Sequence, residues 1–172
     1  MNVYSGEGDD GSTRTMRPGR LSKADLLIEV LGEIDEASAS LAWSFSQLQR
    51  ADIKPLLSSI LNDLSMMMAL LAGDEKAIFG VDRIRWLENM MEEFGTNTQD
   101  VHGFVLEWKN PASVALNVSR TIIRRTERSL VRLAKKRIIQ SELLGYFNRL
   151  SSLTFLLQLA VESGDIFKDK SC

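Results

Sequence analysis

The sequence has 172 residues, of which 44% are hydrophobic, and its formal net charge at pH 7 is -2. This length fits one domain built around a single hydrophobic core. The near-neutral charge excludes a global attraction to nucleic acid or to acidic membranes, so an anion site would need a local cluster of basic residues.

Cysteine and histidine are almost absent, since Cys172 and His102 are the only residues of their types. One chain therefore offers neither a disulfide framework nor a Cys/His metal site. Residues 1–20 lack the order of a secretory signal, and no apolar run reaches the ~18 residues of a membrane span. We therefore expect a soluble, cytoplasmic protein that does not associate with membranes.

The first feature along the chain is a Gly-rich loop over residues 1–21, which contains the stretch YSGEGDDGST. From the residues alone this stretch is a disordered tail, a calcium loop or a backbone cradle for an anion. The acids do not have the spacing of an EF-hand loop, and no Walker motif is present. A phosphate would thus be bound by loop amides and hydroxyls together with distant basic residues.

Helical periodicity follows the loop. Ser22 and Asp25 resemble a capping box, which predicts that the first helix starts at Ser22. Apolar residues then repeat at three- and four-residue steps, and Asn110 with Pro111 supplies a cap and a first-turn proline for a later helix. The predicted fold is an all-α bundle of four long helices and one short helix. The predicted helices span about 22–48, 53–73, 81–94, 111–136 and 140–163.

The densest cluster of charge lies on the fourth predicted helix, because residues 120–137 hold eight basic residues against the single acid Glu127. The helical spacing places Arg120, Arg124, Glu127 and Arg128 on one face, beside the apolar stripe. Guanidinium groups there could bind phosphate oxygens in a bidentate geometry. The alternative is that these arginines form salt bridges with carboxylates of neighbouring helices or subunits.

Three other residues are candidates for a site. Asp35 lies at the edge of the first apolar stripe, where a carboxylate would need a cation such as an arginine of the fourth helix, unless it belongs to the solvated side. Asn148, if buried, would hydrogen-bond a ligand or fix a helix end. Phe104 lies on the connector before the fourth helix, where an aromatic residue could plug the end of the bundle.

Six stretches occur in a recognisable order: YSGEGDDGST, GRLSKAD, IEVLGEIDE, FVL, SRTIIRRTERSLVRLA and YFNRLSSLTFLL. The most specific are RTIIRRTER, which is similar to a family pattern R-x-x-x-RR-x-E-R, and YFNRLS, which is similar to Y-L-N-R-L-S-D. Together they resemble the PduO-type ATP:cob(I)alamin adenosyltransferases over nearly the whole chain.

The resemblance implies a five-helix bundle over residues 22–165, between the loop and a tail at 166–172, that assembles as a homotrimer. ATP and a corrinoid would bind between subunits. The implied reaction transfers the 5′-deoxyadenosyl group of ATP to the cobalt of reduced cob(I)alamin, which gives adenosylcobalamin and inorganic triphosphate. A reductase that delivers electrons would be a further partner.

The resemblance also implies roles for residues of the helices. Asp35 would pair with Arg120 across a subunit interface, and Arg120 with Arg124 would hold the triphosphate end of the ATP site. Glu127 and Asn148 would contact the nucleotide or its Mg²⁺.

Further implied contacts come from the loop and the connector. Lys23 would approach the phosphates, and Phe104 would lie beneath the corrin ring and displace the lower axial ligand. The loop residues that would order over ATP are Ser5, Gly8, Asp9, Asp10, Gly11, Ser12 and Thr13.

The loop departs from the family pattern at Gly6 and Glu7, where the family has a basic residue and a threonine. Since Glu7 would repel a triphosphate, a non-catalytic relative that binds ATP or a corrinoid as a carrier or regulator stays open. A third interpretation is an interaction bundle whose basic helix binds nucleic acid or a partner. It predicts binding that weakens steeply as salt rises, and the acidic loop argues against it.

Overall fold

The protein is represented by a computed structural model, which describes residues 6–96 and 109–167. Within those ranges a short β-hairpin precedes five α-helices. The elements in chain order are β1 (Ser12–Thr13), β2 (Leu21–Ser22), α1 (Leu26–Gln47), α2 (Ile53–Ala72), α3 (Val81–Gly95), α4 (Pro111–Ala134) and α5 (Ser141–Phe167). The predicted all-α bundle of four long helices and one short helix is confirmed.

The start of α1 corrects one prediction. Asp25 is the N-cap of this helix, and its carboxylate accepts a hydrogen bond from the Leu27 amide at 2.8 Å. Ser22 lies in β2, and its hydroxyl accepts from the Ala24 amide. The predicted start at Ser22 was therefore wrong, because Asp25 satisfies the first free amides of the helix as the cap itself.

The apolar stripes of the helices form one continuous core, in which α4 packs between α1 and α5. Ser119, Ile123, Thr126 and Leu130 of α4 are buried. Asn110 caps α4 by accepting from the Ala112 amide at 2.9 Å, which confirms the predicted cap. Since one face of α4 is buried against two helices, its other face is left to carry the arginines.

Ion pairs join α1 and α4 along their antiparallel seam. The pairs are Arg125 with Glu36, Arg132 with Glu29 at 2.7 Å, and Arg137 with Asp25 at 2.6 Å. Beyond the pair of Arg125 with Glu36, the hydroxyls of Ser44 and Ser119 lie 3.0 Å apart in the core. Because these arginines are exposed to solvent, each pair contributes at most ~1 kcal/mol. Salt bridges to neighbouring carboxylates are thus made by Arg125, Arg132 and Arg137, which lie outside the predicted face of Arg120, Arg124 and Arg128.

A second, more buried network joins α2, α3 and α5. The carboxylate of Asp63, which is 9% exposed, accepts from Arg83 Nε at 2.8 Å and from Tyr146 Oη at 2.6 Å. Arg83 also donates to Ser59 Oγ and stacks over the Trp86 ring at 4.2 Å. Burial raises the pKa of the Tyr146 phenol well above its ordinary value, and the neighbouring Asp63 carboxylate raises that pKa further.

The raised pKa of Tyr146 predicts a loss of stability in alkali. In the unfolded chain the phenol ionises near pH 10, whereas in the folded protein it stays protonated. The free energy of unfolding should therefore fall as pH rises above ~10, with a slope of up to ~1.4 kcal/mol per pH unit from this group. Urea unfolding of wild type and Tyr146→Phe between pH 9 and 11 should show a smaller slope for the variant, and equal slopes would contradict this prediction.

Gln158 of α5 is fully buried, and neither atom of its amide finds a hydrogen-bond partner among the residues that the structure describes. A buried amide without partners destabilises the folded state. We therefore expect Gln158→Met, which keeps the volume and removes the polar atoms, to raise the free energy of unfolding by about 1 kcal/mol. Gln47→Met, at an exposed position, should change it little. Urea denaturation measures both, and a loss of stability in Gln158→Met would contradict the expectation.

Among the described helices, α2 is long and apolar enough to cross a membrane by length and composition alone, with a mean hydropathy of 1.4. Its apolar residues, such as Leu57, Ile60 and Leu64, are buried in the bundle core. Packing in the core therefore accounts for the buried apolar residues of α2.

Candidate anion-binding site

A row of arginines on α4, formed by Arg120, Arg124 and Arg128, has no acidic partner in the part of the chain that the structure describes. Arg120 is half-buried: its Nη2 donates to Asn117 Oδ1 at 2.8 Å, and its guanidinium lies 5.9 Å from the centre of the Phe155 ring. Arg128 donates to the carbonyl of Arg124 at 2.9 Å. The guanidinium of Arg124 is exposed, so its donors remain available to an anion.

Two further predicted site residues lie beside this row. Glu127 Oε1 accepts a hydrogen bond from Asn148 Nδ2 at 3.1 Å, which joins α4 to α5. Asn148 is exposed, so the interpretation of it as a buried amide is wrong. Since Glu127 follows Arg124 by nearly one helical turn, the fold brings Arg124, Glu127 and Asn148 onto one accessible surface.

Asp35 lies apart from the arginine row within one chain. It is exposed, and no cation contacts it among the residues described, so within one chain it belongs to the solvated side of α1. Ser119, the residue before Arg120, contacts Ser44, which is nine residues beyond Asp35 on α1. At 1.5 Å per residue this offset is roughly 13 Å. A contact between Asp35 and Arg120 is therefore not made within one chain and would require a second subunit.

The Gly-rich loop closes through the hairpin, in which Ser12 pairs with Ser22 and Thr13 with Leu21. This hairpin was not predicted, because strands of two residues carry no detectable alternation. Gly11 has a φ of +78°, a conformation that glycine adopts without strain. A glycine at this position allows the turn that leads into β1.

Lys23 folds back onto the loop. Its ammonium donates to the Gly8 carbonyl at 2.7 Å, and its amide donates to the Gly11 carbonyl at 2.8 Å. A Cβ at Gly8 would lie 3.0 Å from Lys23 Nζ, so glycine is what lets the ammonium approach the backbone. The structure thus brings Lys23 together with the loop, as the site prediction requires.

Asp10 holds the loop together through contacts with other residues of the same segment. Its Oδ1 accepts from the Ser12 amide at 2.9 Å and from the Ser12 hydroxyl at 2.7 Å, and it lies 3.2 Å from Arg20 Nη2. Hydrogen bonds from Ser12, followed by the charge of Arg20, lower the pKa of Asp10. The sequence prediction did not include Arg20, although GRLSK showed a second basic residue close to Lys23.

The remaining predicted residues divide into two groups. Asp9 and Thr13 lie in the described loop, where the Asp9 amide donates to the Gly6 carbonyl at 3.2 Å. Ser5 and Phe104 lie outside the described residues, so their predicted roles are not tested.

The described ranges contain no group of three or more His, Cys, Asp and Glu side chains that could hold a metal ion. A magnesium ion usually takes one or two protein carboxylates and several phosphate or water oxygens. The single carboxylate of Glu127 beside the arginine row fits an ion that arrives with a nucleotide.

Within the described residues, the helical bundle thus combines a row of arginines that have no acidic partner with a glycine-rich hairpin. The family model for cobalamin adenosyltransferase matches residues 3–161. The chain therefore belongs to the cobalamin adenosyltransferase family, which confirms the resemblance drawn from its motifs.

Known proteins resemble the chain in sequence and in structure. A corrinoid adenosyltransferase from Citrobacter freundii is 30% identical over 159 residues, which cover 89% of this chain and 90% of that protein. The corrinoid adenosyltransferase PduO of Salmonella typhimurium strain LT2 is 30% identical over 169 residues, and the match spans 95% of this chain but only 50% of PduO.

A solved structure of a variant PduO-type ATP:corrinoid adenosyltransferase from Lactobacillus reuteri, complexed with cobalamin and ATP, matches with a TM-score of 0.86. The two sequences are 26% identical, and the match covers 98% of this chain and 96% of that chain. A second variant of the Lactobacillus reuteri enzyme, complexed with ATP, matches with a TM-score of 0.85 and 27% identity, over 97% of this chain and 96% of that chain.

Proposed function

We propose that the chain is a corrinoid adenosyltransferase, which transfers the 5′-deoxyadenosyl group of ATP to the cobalt of cob(I)alamin and releases inorganic triphosphate. The observation that carries the proposal is the arginine row, which has no acidic partner in ranges 6–96 and 109–167, beside the contact of Glu127 with Asn148. Family membership supports it, and so does the match to an ATP:corrinoid adenosyltransferase complexed with both substrates.

In this reaction the arginines would stabilise the leaving group. A new bond forms between cobalt and C5′ while the C5′–O bond of ATP breaks, and the triphosphate leaves with the bonding electron pair. Arg120 and Arg124 would hold the departing triphosphate and stabilise its growing charge. Each such contact is worth about 3 kcal/mol in the transition state. Because Arg124 has no acidic partner among the described residues, it could bind the triphosphate without breaking any ion pair seen there.

The neighbouring groups would orient the nucleotide. Glu127 would supply a carboxylate oxygen to the Mg²⁺ of the nucleotide, and Asn148 would hold Glu127 in place. Lys23 and the hairpin loop would approach the phosphates from the other side. Phe104 is assigned to the lower face of the corrin ring by motif position alone.

The site is proposed to lie between subunits of a homotrimer. Phe155 of α5 is an exposed apolar side chain that lies beside Arg120, and it would be covered by a neighbouring subunit. The offset between Asp35 and Arg120 within one chain also supports a pairing across this interface. The proposal places the trimer in the cytoplasm, where a reductase would supply the electrons for cob(I)alamin.

Mixing two variants tests the shared site. Asp35→Ala and Arg120→Ala should each lose most of their activity when assembled alone. Trimers assembled from an equal mixture should recover about a quarter of wild-type activity, since random assembly rebuilds that share of interfaces with both residues intact. If the mixture is no more active than either variant alone, Asp35 and Arg120 do not combine across a subunit interface. That result would contradict the shared site.

The activity itself is tested under anaerobic conditions with purified protein, a strong reductant, cob(I)alamin and Mg-ATP. Loss of the cob(I)alamin absorbance and formation of a light-sensitive adenosyl product would support the proposal. Binding of ATP or corrinoid without turnover would favour the alternative, a non-catalytic carrier or regulator with an altered loop. In that case, introducing a basic residue and a threonine at positions 6 and 7 should restore turnover. Failure of both bindings would overturn the proposed function.

A further inference from the structure

Arg20 connects three separate points of the Gly-rich loop. Its Nε donates to Ser12 Oγ at 2.6 Å, and its Nη2 donates to the carbonyl of Glu7 and to Asp10 Oδ1. Arg20 itself comes directly before β2, on the returning side of the hairpin. One guanidinium thus ties the outgoing segment of the loop, residues 7–12, to the strand that leads into α1.

These contacts also fix the direction of the Ser12 hydroxyl. Because Arg20 Nε donates to Ser12 Oγ, the hydroxyl hydrogen is free to point elsewhere, and it donates to Asp10 Oδ1 at 2.7 Å. The Ser12 amide donates to the same carboxylate oxygen at 2.9 Å. Arg20, Ser12 and Asp10 therefore form a closed set of hydrogen bonds beside β1.

The loop needs such a tie for two physical reasons. Gly6 and Gly11 both have positive φ angles, and glycine-rich segments lose much conformational entropy when they are ordered. The loop also carries three acids within residues 7–10, which repel one another and any polyphosphate. A guanidinium in their midst reduces both effects, and it does so before a ligand arrives.

We infer that Arg20 is a positioning residue for the triphosphate of the nucleotide, because it holds residues 7–12 in the hairpin that presents their backbone to the phosphates. The inference rests on the proposed function and deepens it, since the motif resemblance assigned roles to Lys23 and the loop but none to Arg20. Binding energy that would otherwise be spent on ordering the loop is then available for the ligand.

The test compares Arg20→Ala with Arg14→Ala. Arg14 is an exposed residue of the same segment, and it makes no hydrogen bond or ion pair in the described part of the chain, so its loss removes the same charge without loosening the hairpin. Steady-state kinetics should show that Arg20→Ala raises KM for ATP at least about tenfold and leaves kcat within about threefold. Calorimetry with inorganic triphosphate should show a matching rise in Kd. Arg14→Ala should change each quantity less than about threefold.

Three results would overturn the inference. Equal effects of Arg20→Ala and Arg14→Ala would show that only the charge counts. A lower kcat at saturating ATP with unchanged KM would show that Arg20 acts in the chemical step. Full recovery in Arg20→Lys would also contradict it, because one ammonium cannot make the three contacts of the planar guanidinium.

A measurement on the ligand-free protein tests this inference separately from the proposed function. In the ligand-free protein, amide hydrogen exchange at Ser12 and Lys23 should become at least about tenfold faster in Arg20→Ala and stay unchanged in Arg14→Ala. Unchanged exchange in Arg20→Ala would overturn the positioning role even if the enzyme is active. Faster exchange in a protein that neither binds ATP nor forms product would support the hairpin tie and overturn the proposed function alone.

Discussion

Arg124→Ala should lower kcat for adenosyl transfer by about 10²–10³-fold, the usual effect of losing one positioned donor to a developing negative charge. The free energy of unfolding should change by less than about 0.5 kcal/mol, because Arg124 is exposed and forms no ion pair with any described residue. Anaerobic kinetics with cob(I)alamin and Mg-ATP, together with urea denaturation of the same preparations, measure both quantities.

Arg132→Ala is the matched control for this prediction. Arg132 lies two turns further along α4, where it pairs with Glu29 of α1 at 2.7 Å. Its loss should cost at most ~1 kcal/mol of stability and leave kcat nearly unchanged. Similar losses of activity in both variants would show that the basic charge of α4 acts in general, and full activity in Arg124→Ala would remove this residue from the site.

Asp63→Ala should destabilise the fold by about 3–5 kcal/mol, since it leaves the half-buried guanidinium of Arg83 and the buried hydroxyl of Tyr146 without their main partner. For a chain of this size the loss corresponds to a fall in Tm of roughly 10 °C. Thermal and urea unfolding at a fixed protein concentration measure the effect, because assembly makes the apparent stability depend on concentration.

A surface pair provides the control for Asp63. Asp52 contacts Arg50 at 2.5 Å, but both side chains are well exposed. Asp52→Ala should therefore cost less than ~1 kcal/mol. If Asp63→Ala were equally mild, the buried network would not hold α2, α3 and α5 together, and the core alone would have to do so.

The helices could be predicted because each buries an apolar stripe whose spacing is visible in the sequence. Their ends were less certain, since Ser22 and Asp25 are both good caps and only the backbone decides between them. The hairpin left no periodic signal at all. The contacts of Arg20 could not be predicted for the same reason, because they exist only when the loop folds back on itself.

The arginines of α4 show where sequence reasoning ends. Arg124 and Arg125 are adjacent and chemically identical, yet Arg125 pairs with Glu36 while Arg124 faces solvent. Which of them meets an acid depends on the register between α1 and α4, and that register is a property of the packed core. The partner of Asp35 is harder still to predict from one sequence, because the proposed contact is with another subunit.

A structure of the protein with Mg-ATP bound would test the central claim most directly. We expect Arg120 and Arg124 of one subunit within hydrogen-bonding distance of the triphosphate, with Asp35 of a neighbouring subunit against Arg120 and the hairpin loop over the phosphates. A triphosphate bound away from the arginine row, with Arg124 still exposed to solvent, would contradict the assignment of α4 as the catalytic helix.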